Sequence, residues 1–82
     1  MKLVKGQQIK DAWGTIWVYQ GLTDSAGFEC DRCGKLRQHL HEFLGYTNLE
    51  TANTNPMGFK YHLFYGTECV RQTLLIKEGE RL

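Results

Sequence analysis

Cys30-Asp31-Arg32-Cys33-Gly34 is the stretch that decides how this chain folds. Two thiols two residues apart, followed by a glycine, form a tight turn that lets both sulfurs face one metal ion. A third thiol, Cys69, lies in Tyr65-Gly66-Thr67-Glu68-Cys69, and three histidines, His39, His41 and His62, fall between the cysteines. Zinc in a closed structural site takes four ligands in a tetrahedron, so these residue types predict a Cys3His centre. An isolated cysteine reads more simply as a small buried apolar residue. The paired spacing of Cys30 and Cys33 argues for metal, and Gly34 favours a knuckle over a redox pair at a helix N-terminus.

The chain has 82 residues, which suits one domain, 1–82, with a zinc module over 28–78 and an N-terminal strand region over 1–27. A chain of this size buries only about 60% of the surface its unfolded form exposes. Structural zinc supplies roughly 10–16 kcal/mol in finger peptides, far more than the few kcal/mol of a small core. The expectation is that metal decides folding. Three cysteines cannot pair completely as disulfides, and no apolar run follows Met1-Lys2-Leu3-Val4-Lys5-Gly6, which together point to a reducing, cytoplasmic setting. No segment approaches the ~18 apolar residues of a membrane helix. A net charge of +1 marks neither a strongly basic nucleic-acid binder nor an acidic mimic.

Outward from the knuckle, residues 12–20 alternate Trp13, Thr15, Trp17 and Tyr19 against Ile16 and Val18, which predicts a strand with an aromatic face. A glycine-bounded loop should follow over 21–27, and a shorter strand is expected around Leu3-Val4. Residues 36–44 fit both a strand and a helical stripe, and the adjacent knuckle favours the strand. Residues 45–58, with Asn48, Asn53, Asn55 and Pro56, read as a surface loop. Residues 58–65 alternate as a strand. A helix then follows with Thr67 as its N-cap, carries Glu68 in its first turn, places Val70 and Leu74 four apart, and closes at Lys77 with Gly79 as C-cap, before a frayed tail at 80–82. The fold class predicted is therefore α+β, with β-hairpins, a zinc knuckle and one C-terminal helix.

A knuckle, then strands, then a helix whose first turn returns a ligand to the knuckle resembles the treble-clef group of zinc folds. The matching residues are Cys30, Cys33 and Gly34 at the knuckle, and Gly66 and Cys69 at the helix start. Treble clefs commonly draw two ligands, three residues apart, from the helix start; here the position three before Cys69 is Gly66, so the fourth ligand must come from elsewhere. His39, six residues after Cys33, is the first choice; His41 shares its strand face and His62 precedes the helix. The metal set is thus Cys30, Cys33, His39 and Cys69.

Glu42 and Glu68 would be the candidate general bases if zinc kept an open position. Neither falls in a deaminase-type motif, so no enzymatic activity and no small-molecule substrate are expected. Two tryptophans, four tyrosines and four phenylalanines exceed what a small core hides, and aromatic and arginine side chains dominate interface energetics. The candidate partner-binding residues are Trp13, Trp17, Arg32, Lys35 and Arg37, taking up a protein partner or a second copy of the chain; of the two tryptophans, Trp17 at mid-strand is expected to be buried and Trp13, beside Gly14, nearer the surface. The general character suits a regulatory or accessory factor of the kind encoded by phages and mobile elements. Nucleic acid is the alternative partner, through the basic residues near the knuckle and stacking aromatics, although Glu29, Asp31 and Glu42 interrupt that region.

Overall fold

β-Branched and aromatic residues from Ile16 onward favour an extended backbone with alternating faces. The computed structural model describes residues 3–24, 28–72 and 80–81. In chain order its elements are β1 (Gln8–Lys10), β2 (Ile16–Thr23), β3 (Phe28–Glu29), β4 (Leu36–Arg37), β5 (Leu40–Tyr46), α1 (Leu49–Thr54), a 3-10 turn at Pro56–Gly58, β6 (Tyr61–Tyr65), α2 (Thr67–Gln72) and β7 (Glu80–Arg81). Among the described residues they form a five-stranded antiparallel sheet, ordered β6-β5-β2-β1-β7, and a separate β3-β4 hairpin. The expected α+β class is met, with two short helices. None is long and apolar enough to cross a membrane.

The sheet joins β1 and β2 directly to β5 and β6. β2 and β5 pair from Ile16↔Tyr46 to Thr23↔Leu40, with an extra residue, Gln20, between Tyr19 and Gly21. Gly21 has φ +100°, a backbone conformation glycine reaches at no steric cost, and the resulting bulge lets the ladder continue. For that reason the strand extends to Thr23 where the sequence suggested a loop from 21. Ser25, Ala26 and Gly27 of that expected loop lie outside the described residues.

One face of the sheet carries the main core, with Ile9, Trp17, Tyr19 and Phe43 buried together with Val70 of α2, and Leu3, Leu63 and Tyr65 packed against them. A second cluster of Cys30, Leu40 and Cys69 is packed by Phe64 and Tyr65. Tyr65 belongs to both and joins the knuckle to the sheet.

Four local expectations are corrected. The strand begins at Ile16, because Asp11 Oδ1 accepts from the Trp13 and Thr15 amides, both at 2.9 Å, and curls residues 11–15 into a turn. The N-terminal strand lies at β1, since Val4 accepts from the Gln7 amide in a turn just before it. Residues 45–58 hold more than a loop: β5 runs to Tyr46, and Asn48 caps α1 by accepting from the Thr51 amide at 2.8 Å. The Tyr46 hydroxyl then donates to the Pro56 carbonyl at 2.7 Å and holds the segment down. Finally, Glu80 and Arg81 are paired with Lys10 and Ile9. Leu74, Lys77 and Gly79, expected to complete the last helix, lie outside the described residues.

Candidate metal centre

The knuckle is built by its backbone. The Cys30 amide donates to the Lys35 carbonyl at 3.0 Å, the Gly34 amide donates to the Cys30 carbonyl at 2.8 Å, and Gly34 sits at φ +72°. A side chain at that φ would be strained, which is why the turn carries glycine. β3 and β4 pair as Phe28↔Arg37 and Glu29↔Leu36 and form the stem. Asp31 clasps the knuckle to the sheet. Its amide donates to the Phe64 carbonyl at 2.8 Å and its carboxylate accepts from the Phe64 amide at 2.6 Å.

Opposite the knuckle, the Val70 amide donates to the Gly66 carbonyl at 2.9 Å and opens α2, placing Cys69 in the first turn. The three sulfurs, Cys30, Cys33 and Cys69, all lie within 4.8 Å of one another. Tetrahedral zinc with bonds of about 2.3 Å needs sulfurs roughly 3.8 Å apart, which this spacing approaches. The sulfurs are free thiols, with Cys30 and Cys69 buried and Cys33 exposed. The Gly66 amide donates to Cys30 Sγ at 3.3 Å, and the Arg32 guanidinium donates to Cys69 Sγ at 3.9 Å. Both are donors that favour negative sulfur. Gly66 therefore has a role despite lacking a side chain: its amide reaches Cys30 Sγ in the three-thiol cluster.

The thiols are not equivalent. The Lys35 backbone amide, helped by Cys30, Cys69 and Arg37, brings Cys33 down from 9.0 to about 7. Burial, reinforced by the neighbouring thiols, pushes Cys69 up from 9.0. In the metal-free site Cys33 thus becomes a thiolate, the form that binds zinc, before Cys69 does.

The histidines separate by their partners. His41 spends both ring nitrogens, Nδ1 with the Tyr19 hydroxyl at 2.6 Å and Nε2 with Thr67 Oγ1 at 3.1 Å. His62 Nε2 is paired with the Glu42 carboxylate, and its ring lies against Phe59 and Phe64. His39 stands outside the three-thiol cluster, with Nδ1 at 2.8 Å from Asp24 Oδ1. It lines a recess of about 270 Å³ together with Arg37 and the segment from Gly66 to Cys69. The Asp24 contact was not anticipated from sequence. It extends the Thr23↔Leu40 pairing by one position on each strand, so a β2 carried through Thr23 would have revealed it.

Of the candidate contact residues, Arg32, Lys35 and Arg37 surround the knuckle on its exposed side. Trp13 is 83% exposed. Trp17 is 9% exposed and belongs to the core; its indole N–H donates to Asp11 Oδ2 at 2.9 Å, so it is withdrawn from the contact surface. The chain matches no family model, no curated protein and no solved structure.

Proposed function

We propose that this protein is a zinc-stapled interaction module of treble-clef-like organisation, acting without catalysis as a regulatory or accessory factor in a reducing cytoplasm. The observation that carries this is the convergence of Cys30, Cys33 and Cys69 from a hairpin turn and a helix start far apart in sequence. The order supports the treble-clef comparison: a knuckle, then β5 and β6, then α2 returning Cys69. Bound zinc would act structurally, fixing the β3-β4 hairpin against α2. Elemental analysis should find one zinc per chain, and chelation should unfold the knuckle and loosen α2, seen as loss of circular dichroism. Protein purified without chelator and holding well under one equivalent would refute the metal reading.

Protein contact is assigned to Trp13, an exposed tryptophan on a turn held rigid by Asp11. The partner is another protein or a second copy of this chain. Trp13→Ala should leave the melting temperature nearly unchanged and weaken partner binding by 2 kcal/mol or about that. Nucleic acid is the second reading, favoured by the Asp31 carboxylate being turned onto the Phe64 amide, which leaves Arg32, Lys35 and Arg37 less opposed. Affinity that falls steeply with salt would select nucleic acid, whereas an aromatic protein contact should be nearly indifferent to it.

A further inference from the structure

We infer that Asp24 is the orienting carboxylate of the metal site: by holding His39 through Nδ1 it presents Nε2 as the fourth zinc ligand. This rests on the zinc reading above and goes beyond it, because Asp24 belongs to no cysteine motif and reaches the site only through the sheet.

A metal-ligating histidine characteristically donates its second ring N–H to a carboxylate or carbonyl, which fixes the tautomer and raises the basicity of the ligating nitrogen. His39 already has that partner, at 2.8 Å. With the proton on Nδ1, the lone pair lies on Nε2. His41 and His62 are committed elsewhere, to Tyr19 and Thr67 and to Glu42 respectively. His39 is the histidine that shares a recess with Cys69, and it immediately precedes Leu40, which is buried with Cys30 and Cys69 in the smaller core cluster.

The side chains of His39 and Asp24 are 53% and 91% exposed, so neither is locked into the core, and His39 opens onto the recess that Cys69 also lines. Three thiolates and one neutral imidazole complete a closed Cys3His site, and the net charge of zinc plus three thiolates is then −1, which Arg32 and Arg37 are placed to offset.

The test is a double-mutant cycle on the full chain, read by zinc competition against a chromophoric chelator and by the visible spectrum of the cobalt(II) form. Asp24→Ala should weaken metal binding by about 10–100-fold, and His39→Ala by at least as much. Asp24→Asn, which keeps an oxygen that accepts from Nδ1–H, should recover most of the loss. In the His39→Ala background Asp24→Ala should change nothing further, because its effect passes through the imidazole. The cobalt d–d bands should shift in His39→Ala while the thiolate charge-transfer intensity stays that of three cysteines. Wild-type protein that binds zinc with Asp24→Ala at equal affinity would overturn this inference and leave the zinc reading standing; so would additive losses in the double variant. Wild-type protein that binds no zinc would overturn both.

Discussion

Gly45 lies directly across from Trp17 in the β2-β5 ladder, and a Cβ built there would meet Trp17 Cζ3 at 2.7 Å and Cε3 and Cη2 at 3.0 Å. That is about 0.7 Å inside ordinary contact, so in Gly45→Ala the indole must move. It has little freedom to do so, being tethered to Asp11 through its N–H at 2.9 Å and packed beside Tyr61 at a ring separation of 5.9 Å. Overpacking of this kind costs roughly 1–3 kcal/mol, which lowers the melting temperature of a domain this size by about 4–8 °C per kcal/mol. Trp17→Ala should cost about 3–5 kcal/mol by opening a cavity. In that background the methyl of Gly45→Ala enters vacated space, and an added side chain also restricts the unfolded chain, so the second change should be neutral or stabilising. Urea denaturation of the four proteins measures the coupling. Additive losses, with Gly45→Ala equally harmful with or without the indole, would refute the idea that Trp17 is seated on the glycine.

Two further outcomes follow from the titrating groups. Burial holds the His41 imidazole below its ordinary 6.5, so the unfolded chain takes up a proton before the folded one does. The stability that the neutral ring contributes is complete above about pH 6.5 and is lost as pH falls from there toward the lower folded value; His41→Gln should flatten this fall in urea midpoint, and an unchanged profile would count against it. In metal-free protein, alkylation of Cys33 should rise through half its maximum near pH 7 while Cys69 reacts only in more alkaline solution, which peptide mapping by mass spectrometry resolves. Equal rates at the two thiols would contradict the opposed environments described for them.

Much of the site could be read from sequence because it is local. The turn Cys30 to Gly34 needs only thiol spacing and a glycine, and the start of α2 needs only Thr67, Glu68 and the run that follows. The aromatic face of β2 was equally plain from alternation, as was a strand ending at Tyr65, although it starts at Tyr61 and not at Gly58, which belongs to the 3-10 turn. What escaped depended on which partner a residue takes, near or far along the chain, which alternation and spacing do not show. Gly21 looks like the end of a strand until β5 supplies a ladder across which a bulge can form. Asn48 looks like a turn residue until its side chain is seen capping α1. Glu80 and Arg81 carry no periodicity of their own and are strand only because β1 lies beside them. The division of the two tryptophans, Trp17 buried and Trp13 exposed, was legible from their places along the strand; its cause, Asp11 ending the extended run before Trp13 and anchoring the indole of Trp17, was not.

The clasp between Asp31 and Phe64 has a consequence for solubility. Among the described residues β6 is one of the two outer strands of the sheet, and an outer strand with bare amides and carbonyls is a template for pairing with another chain. Asp31 occupies both the amide and the carbonyl of Phe64, so the knuckle also serves as a guard on that edge, beside aromatic neighbours Phe28 and Phe64 that are themselves stacked. Under the zinc reading proposed above, removal of the ion would loosen the knuckle's hold on Phe64 and uncover this edge, so metal-stripped protein should aggregate before it accumulates as unfolded monomer.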